Sequence, residues 1–193
     1  MRIFVIEGLD CSGKTTQCEM LKKKFKVVKF PSNSNFVKDY LSGEYGEQVN
    51  PYAVSSFFAL DRYLTVRNFK ENETIICDRY ITSNFIYSLE TPIEWMEYYE
   101  YGLLGNPRPE EVIFLNMPPK FAKKLMKKRG QKKDIYESNY KYQKEVYKRA
   151  LKIAKENDWW IVECIENKEI KSPEKIHTEL VALLNYLVYN RSF

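Results

Sequence analysis

The sequence predicts an α/β protein built on one open sheet of five parallel strands, with helices on both faces. Two observations carry that expectation. Apolar runs of strand length alternate with helical stretches along the chain, and such alternation implies parallel pairing through right-handed crossovers. The first of these strands also runs straight into a glycine-rich segment that opens a helix. The 193 residues suit a single domain covering 1–193. No tract rich in Gly, Pro or Ser divides them, and no repeat is visible.

The elements follow in order. Residues 3–6 are continuously apolar, as a strand buried on both faces must be. The helix at 14–25 comes after the glycine segment. A second strand at 27–30 stops at Pro31. A helix rich in Phe and Tyr covers 51–69, with Pro51 at its start, where a missing N–H costs nothing. Strands at 74–77, 112–115 and 160–164 complete the sheet, and helices fill 121–128, 140–155 and 173–189. Open α/β sheets bind ligands beyond the carboxyl ends of their strands. The glycine segment and the segment around Asp78 therefore belong to one rim.

Composition narrows the function classes. A hydrophobic fraction of 44% with 30% charged residues supports a folded core under a solvated surface, which excludes a disordered chain. The net charge of +5 favours acidic small ligands but is too modest and dispersed for a nucleic-acid partner. The four cysteines, at 11, 18, 77 and 164, form no C-x-x-C pair and no metal spacing. They read as reduced thiols of a cytoplasmic protein. Met1 leads almost directly into the first strand without a signal peptide, and no apolar run approaches the roughly 20 residues that cross a bilayer. The basic triplet at 22–24 reads as a solvated helix face, and His177, the single histidine, as structural.

Gly8-Leu9-Asp10-Cys11-Ser12-Gly13-Lys14-Thr15 matches G-x-x-x-x-G-K-[ST] at every position. Glycines let the backbone wrap close to oxygen atoms, and successive N–H groups then form an anion nest above a helix N-terminus. The segment, with Thr16 behind it, is expected to bind ATP. Lys14 should bridge the β- and γ-phosphates, and the Thr15 hydroxyl should sit on Mg²⁺. The fold class is thus a P-loop NTPase fold. A regulatory GTPase needs an N-K-x-D guanine reader, and Asn167-Lys168-Glu169-Ile170 lacks the aspartate. A motor or helicase is much longer. A small kinase remains.

Asp78-Arg79-Tyr80-Ile81-Thr82-Ser83 follows the third strand. Asp78 can hold the metal shell or orient the acceptor, and Arg79 can grip phosphate oxygens in bidentate fashion. With this cluster the sequence resembles the thymidylate kinase family, which moves phosphate from ATP to dTMP. The resemblance covers most of the chain. It runs from Glu7 through Thr16 and Gln17, Phe30-Pro31, Phe58 to Arg62, and Asp78 to Ser83. It continues through Pro107-Arg108-Pro109, Pro118-Pro119, Asp134 to Glu137, and Tyr142-Gln143.

The resemblance implies roles. The acceptor base stacks on Phe58, and Arg62, one helical turn on, reads it. A guanidinium only donates hydrogen bonds, so it favours the O4 acceptor of thymine over the amino group of cytosine. Asp10 reaches the sugar hydroxyl, and Tyr87 packs beneath the deoxyribose. Tyr80, Ser83, Tyr136, Glu137 and Gln143 complete the acceptor side. A basic lid, about 127–139, closes over ATP. Family members with an arginine inside the phosphate loop carry it where this chain has Cys11. The catalytic cation is therefore expected from the lid, first Arg129, then Lys132 or Lys133. The family also implies a homodimer.

The chain departs from the family at a second place. Many relatives read Phe-Pro-x-Arg after the second strand, whereas this chain reads Phe30-Pro31-Ser32-Asn33. Asn33 cannot supply the charge that grips the acceptor's phosphate. Losing that charge weakens acceptor binding by roughly 10- to 100-fold unless Arg79 or a nearby lysine compensates, which leaves dUMP or another deoxynucleotide open as acceptor. A nucleotide-binding regulator without phosphotransfer is the remaining alternative, opposed by intact Lys14, Thr15, Asp78 and Arg79.

Overall fold

The computed structural model describes residues 1–32, 34–46, 48–129 and 140–190. Five strands form one parallel sheet: β1 Arg2–Glu7, β2 Lys26–Lys29, β3 Thr74–Asp78, β4 Glu111–Asn116 and β5 Trp160–Glu163. Their order is β2-β3-β1-β4-β5, so β1 lies at the centre and the chain reverses direction across it. Ile6 of β1 and Lys29 of β2 both stand opposite Asp78 of β3. That register brings three strand ends to one rim. The five-stranded parallel expectation holds, with strand bounds shifted by a residue or so.

The helices are α1 Lys14–Leu21, α2 Asn35–Ser42, α3 Pro51–Val66, α4 Ile81–Tyr87, α5 Ile93–Glu97, α6 Pro119–Arg129, α7 Tyr140–Glu156 and α8 Pro173–Asn190. A single π turn, Tyr98–Leu103, continues α5. A short hairpin, β6 Ile165–Glu166 and β7 Glu169–Ile170, separates β5 from α8. The sequence reading gave α1 and α3 three or four residues too many. It passed over α2, α4, α5 with its π turn, and the hairpin.

Period-two alternation sends β1 side chains to two cores. Phe4 and Ile6 pack with Leu180 and Leu184 of α8 on one face. Ile3 and Val5 pack with Tyr80, Ile81 and Phe85 on the other. Each such side chain contributes about 1.5–3 kcal/mol by leaving water. Asn50 caps α3 by accepting from the Tyr52 N–H at 2.9 Å, with Pro51 in the first turn as expected. His177 of α8 lies 3.1 Å from Gln17 Oε1, a structural pairing of α8 with α1. Among the described residues no helix is long and apolar enough to cross a membrane.

Candidate active site

The phosphate loop is shaped by positions that only certain residues tolerate. A Cβ on Gly8 would lie 2.7 Å from Ser12 Oγ and 3.0 Å from the Leu115 carbonyl oxygen. Backbone closure there requires glycine. Gly13, at φ 93°, turns the chain into α1. Leu9 turns its side chain into the core beside Ile86 and Phe114, so only its backbone serves the loop. Ser12 Oγ is buried without a hydrogen-bond partner among the described residues. Thr15 and Thr16 are exposed on the first turn of α1.

Lys14 is buried, and its Nζ donates to the carbonyls of Gly8 at 2.6 Å and Leu9 at 2.8 Å. Burial, reinforced by the Arg79 charge, pulls its ammonium down to about 8, although Asp10, Asp78 and Glu7 resist. Asp78 ends β3 and is buried. It belongs to the same electrostatic cluster as Lys14.

Arg79 has φ 68°, a left-handed conformation that costs a non-glycine residue about 1–3 kcal/mol. Its N–H donates to the Ile6 carbonyl at 3.1 Å, and its guanidinium forms an ion pair with Asp10. The guanidinium also lies 5.0 Å from the Tyr87 ring centroid. Gln143 of α7 donates to Asp10 at 3.3 Å, and the Tyr87 hydroxyl reaches the same carboxylate at 3.5 Å. Burial pushes the Asp10 carboxyl up, but the charges of Arg79 and Lys14 outweigh it and hold the group below its usual range. Asp10, Arg79, Tyr87 and Gln143 thus form one cluster.

Glu7 was not among the predicted site residues. It is fully buried at the end of β1. It accepts from the Tyr80 N–H at 3.3 Å, the Thr82 hydroxyl at 2.6 Å and the Ser83 hydroxyl at 2.8 Å. The carboxylate therefore ties the start of the phosphate loop to the first turn of α4, directly behind Arg79. Tyr80 is buried, and its hydroxyl donates to the Pro107 carbonyl at 3.1 Å. Tyr80 acts as packing beside the site, although part of it reaches the cavity wall.

A cavity of about 1000 Å³ opens beside this cluster. Phe58 and Arg62 of α3 line it with Ser83, Tyr87, Asp10 and Arg79. Phe58 is half-buried, with the Tyr40 ring edge-on at 6.3 Å. Its neighbour Phe57 packs instead against Phe36, Tyr40 and Tyr45. That contrast assigns the cavity to Phe58 and the packing role to Phe57. Arg62 is almost wholly buried and paired with Glu100. Lys29, at the end of β2, adds a cation to the cavity wall.

The lid residues Lys132, Lys133, Tyr136 and Glu137 lie outside the described residues, as does Asn33. Arg129 is the last residue of α6, and its side chain lies outside them too.

A phosphate loop facing a nucleotide-sized cavity across a carboxylate–guanidinium pair defines a phosphoryl-transfer site for two nucleotides, that of a nucleoside monophosphate kinase. The family model described as thymidylate kinase matches residues 6–176. A thymidylate kinase of Schizosaccharomyces pombe is 31% identical over 95% of this chain and 91% of its own. A probable thymidylate kinase of Methanocaldococcus jannaschii is 29% identical over 94% of each. A solved thymidylate kinase structure from Candida albicans superposes with a TM-score of 0.73, covering 95% of this chain and 91% of that one at 24% identity. The chain belongs to the thymidylate kinase family.

Proposed function

We propose that the protein transfers the γ-phosphoryl group of ATP to dTMP, giving ADP and dTDP for dTTP synthesis. The observation that carries this reading is the roughly 1000 Å³ cavity that joins Phe58 and Arg62 at one end to Arg79 and Asp10 at the other. A base stacked on Phe58 gains affinity from its π-face. Arg62 then selects a carbonyl over an amino group. Tyr87, beside Asp10 on the cavity wall, would crowd a 2′-hydroxyl of an acceptor sugar packed on its ring.

The acceptor's phosphate would lie near Arg79 and Lys29. Lys29 is the nearby lysine that offsets the missing charge at Asn33. An oxygen of that phosphate attacks the γ-phosphorus, the bond to the β-phosphate oxygen breaks, and ADP leaves. Lys14 neutralises charge on the phosphates throughout. Arg129, with Lys132, would add the lid's cations. Mg²⁺ suits the remaining donors: the Thr15 hydroxyl and the buried Asp78 carboxylate. Among the described residues no group of three or more acidic, His or Cys side chains forms a metal cage. That fits an ion held mainly by substrate phosphates and one or two protein oxygens. Held by Thr15 and Asp78, the ion would supply positive charge that offsets the charge developing on the transferred phosphoryl group.

The test supplies ATP, Mg²⁺ and a panel of nucleosides and monophosphates, and follows ADP release. Fastest turnover with dTMP supports the reading. Preference for a nucleoside, or ATP binding without transfer, would overturn it. Fastest turnover with another deoxynucleoside monophosphate would move the acceptor assignment and leave the kinase chemistry standing. We also propose a cytoplasmic homodimer, its mass readable by sedimentation.

A further inference from the structure

Arg62 reads the base only if its guanidinium is held in one orientation. Long side chains do not hold themselves, and the structure shows what holds this one. Arg62 Nε donates to Glu100 Oε1 at 3.0 Å, and the adjoining amino group contacts the same oxygen. The other amino group donates to the Tyr80 carbonyl at 3.5 Å. A guanidinium carries five N–H donors. With three engaged, the two that remain are those available to a ligand in the cavity that Arg62 lines.

Glu100 is itself fixed. It lies in the π turn after α5 and is 1% exposed. Asn106 Nδ2 donates to its second oxygen at 2.7 Å, and the Asn106 N–H donates to its backbone carbonyl at 2.9 Å. Asn106 is buried, and its Oδ1 has no partner among the described residues. Both carboxylate oxygens are thus engaged, one by the cation and one by the amide. A buried guanidinium without Glu100 would keep its charge and turn toward whatever acceptors it found, including the Tyr80 carbonyl or the ligand's phosphate.

We propose that Glu100, anchored by Asn106, is the positioning residue that fixes Arg62 and thereby sets the pyrimidine selectivity of the acceptor site. It touches neither nucleotide. Its effect is to spend the wrong edge of the guanidinium, so that the remaining edge meets an O4 carbonyl and repels a 4-amino group. This rests on the dTMP kinase reading above.

The test compares kcat/KM for dTMP and dCMP, together with KM for ATP. Glu100→Ala is expected to raise KM for dTMP and narrow the dTMP:dCMP ratio by roughly 10-fold or more, with KM for ATP nearly unchanged. Glu100→Gln should restore the ratio to within about 3-fold, because the Asn106 amide can flip and offer its unpartnered Oδ1 to the new amide N–H. Should Glu100→Ala fail to fold, Asn106→Ala keeps the ion pair and is expected to narrow the ratio by about 3-fold through loss of one anchoring bond. A folded Glu100→Ala or Asn106→Ala protein with the wild-type ratio overturns the proposal, even if its melting temperature falls. A wild-type protein that does not distinguish dTMP from dCMP would instead sink the acceptor reading itself.

Discussion

Lys14 carries its charge where burial opposes it. Its ammonium, held at about 8, binds fewer protons than the same lysine in the unfolded chain between pH 8 and the ordinary value of 10.5. Stability contributed by this residue therefore rises with pH through that window, and the burden is fully present below it. Nucleotide binding runs the other way, since phosphates favour the charged form. ATP affinity is expected to hold up to about pH 8 and to fall by up to about 10-fold for each further unit. Calorimetry in buffers of differing ionisation enthalpy should also show proton uptake on binding. Unchanged affinity from pH 7 to 9.5 would count against Lys14 as the phosphate cation. Glu7 yields a second expectation at this scale. Glu7→Ala strands the Tyr80 N–H and the Thr82 and Ser83 hydroxyls in the interior, and should cost about 2–5 kcal/mol in denaturant unfolding. If Glu7 also steadies Arg79, kcat falls in the folded fraction, whereas an unchanged kcat limits Glu7 to stability.

Among elements, α4 and α7 pack together and both line the acceptor cavity. The last carbonyls of a helix need outside donors. Here α7 supplies them: Arg149 donates to Phe85 at 2.6 Å and to Leu89 at 3.2 Å, and the Tyr142 hydroxyl donates to Tyr87 at 2.8 Å. Arg149→Met keeps the stem's packing and removes the donors. It is expected to speed amide exchange in α4 and to raise KM for dTMP by about 3- to 10-fold through a loosened Tyr87, at a cost of about 1–3 kcal/mol. Exchange unchanged at α4 would show that α7 does not brace it. These elements also mark what the sequence could yield. The β1 strand and the phosphate loop were legible because their signals are local: an unbroken apolar run and a fixed glycine spacing. Helix α4, Ile81–Tyr87, was not, since it is buried on nearly every side and shows no amphipathic stripe. Glu7 and Glu100 were missed for a different reason. Their partners are 75 and 38 residues away in sequence, and an acidic residue gives no sign of burial until the fold pairs it. Asp10, Tyr87 and Gln143 were reached only because the family resemblance supplied their positions.

For the whole molecule, the site lies where the two cores meet across β1. The α1 and α8 side carries the phosphate loop, and the α3 and α4 side carries the acceptor cavity. Among the described residues, the Asp10–Arg79 ion pair, with the Tyr87 and Gln143 contacts to Asp10, links the phosphate loop to the acceptor cavity. A ligand bound at either position stabilises the native state by mass action, about 2.7 kcal/mol at a hundredfold excess over Kd. For a chain of this size that raises Tm by about 5–11 °C. Coupling between the positions is expected because Arg79 is shared. In the free protein its charge is held by Asp10, and an acceptor phosphate would compete for it. Once ADP occupies Lys14, the pull of Lys14 on Asp10 weakens, which leaves Asp10 freer to hold Arg79 in place. ADP with Mg²⁺ and dTMP form no reactive pair, so both can be added together. Their joint Tm shift should fall short of the sum of the separate shifts by at least about 2 °C, for an unfavourable coupling of about 1 kcal/mol. Asp10→Asn retains the shape of the side chain and removes its charge, and should return the shifts to simple additivity. Additive shifts in the wild-type protein would mean that the two positions fill independently, and that the Asp10–Arg79 pair shapes the rim without linking its ligands.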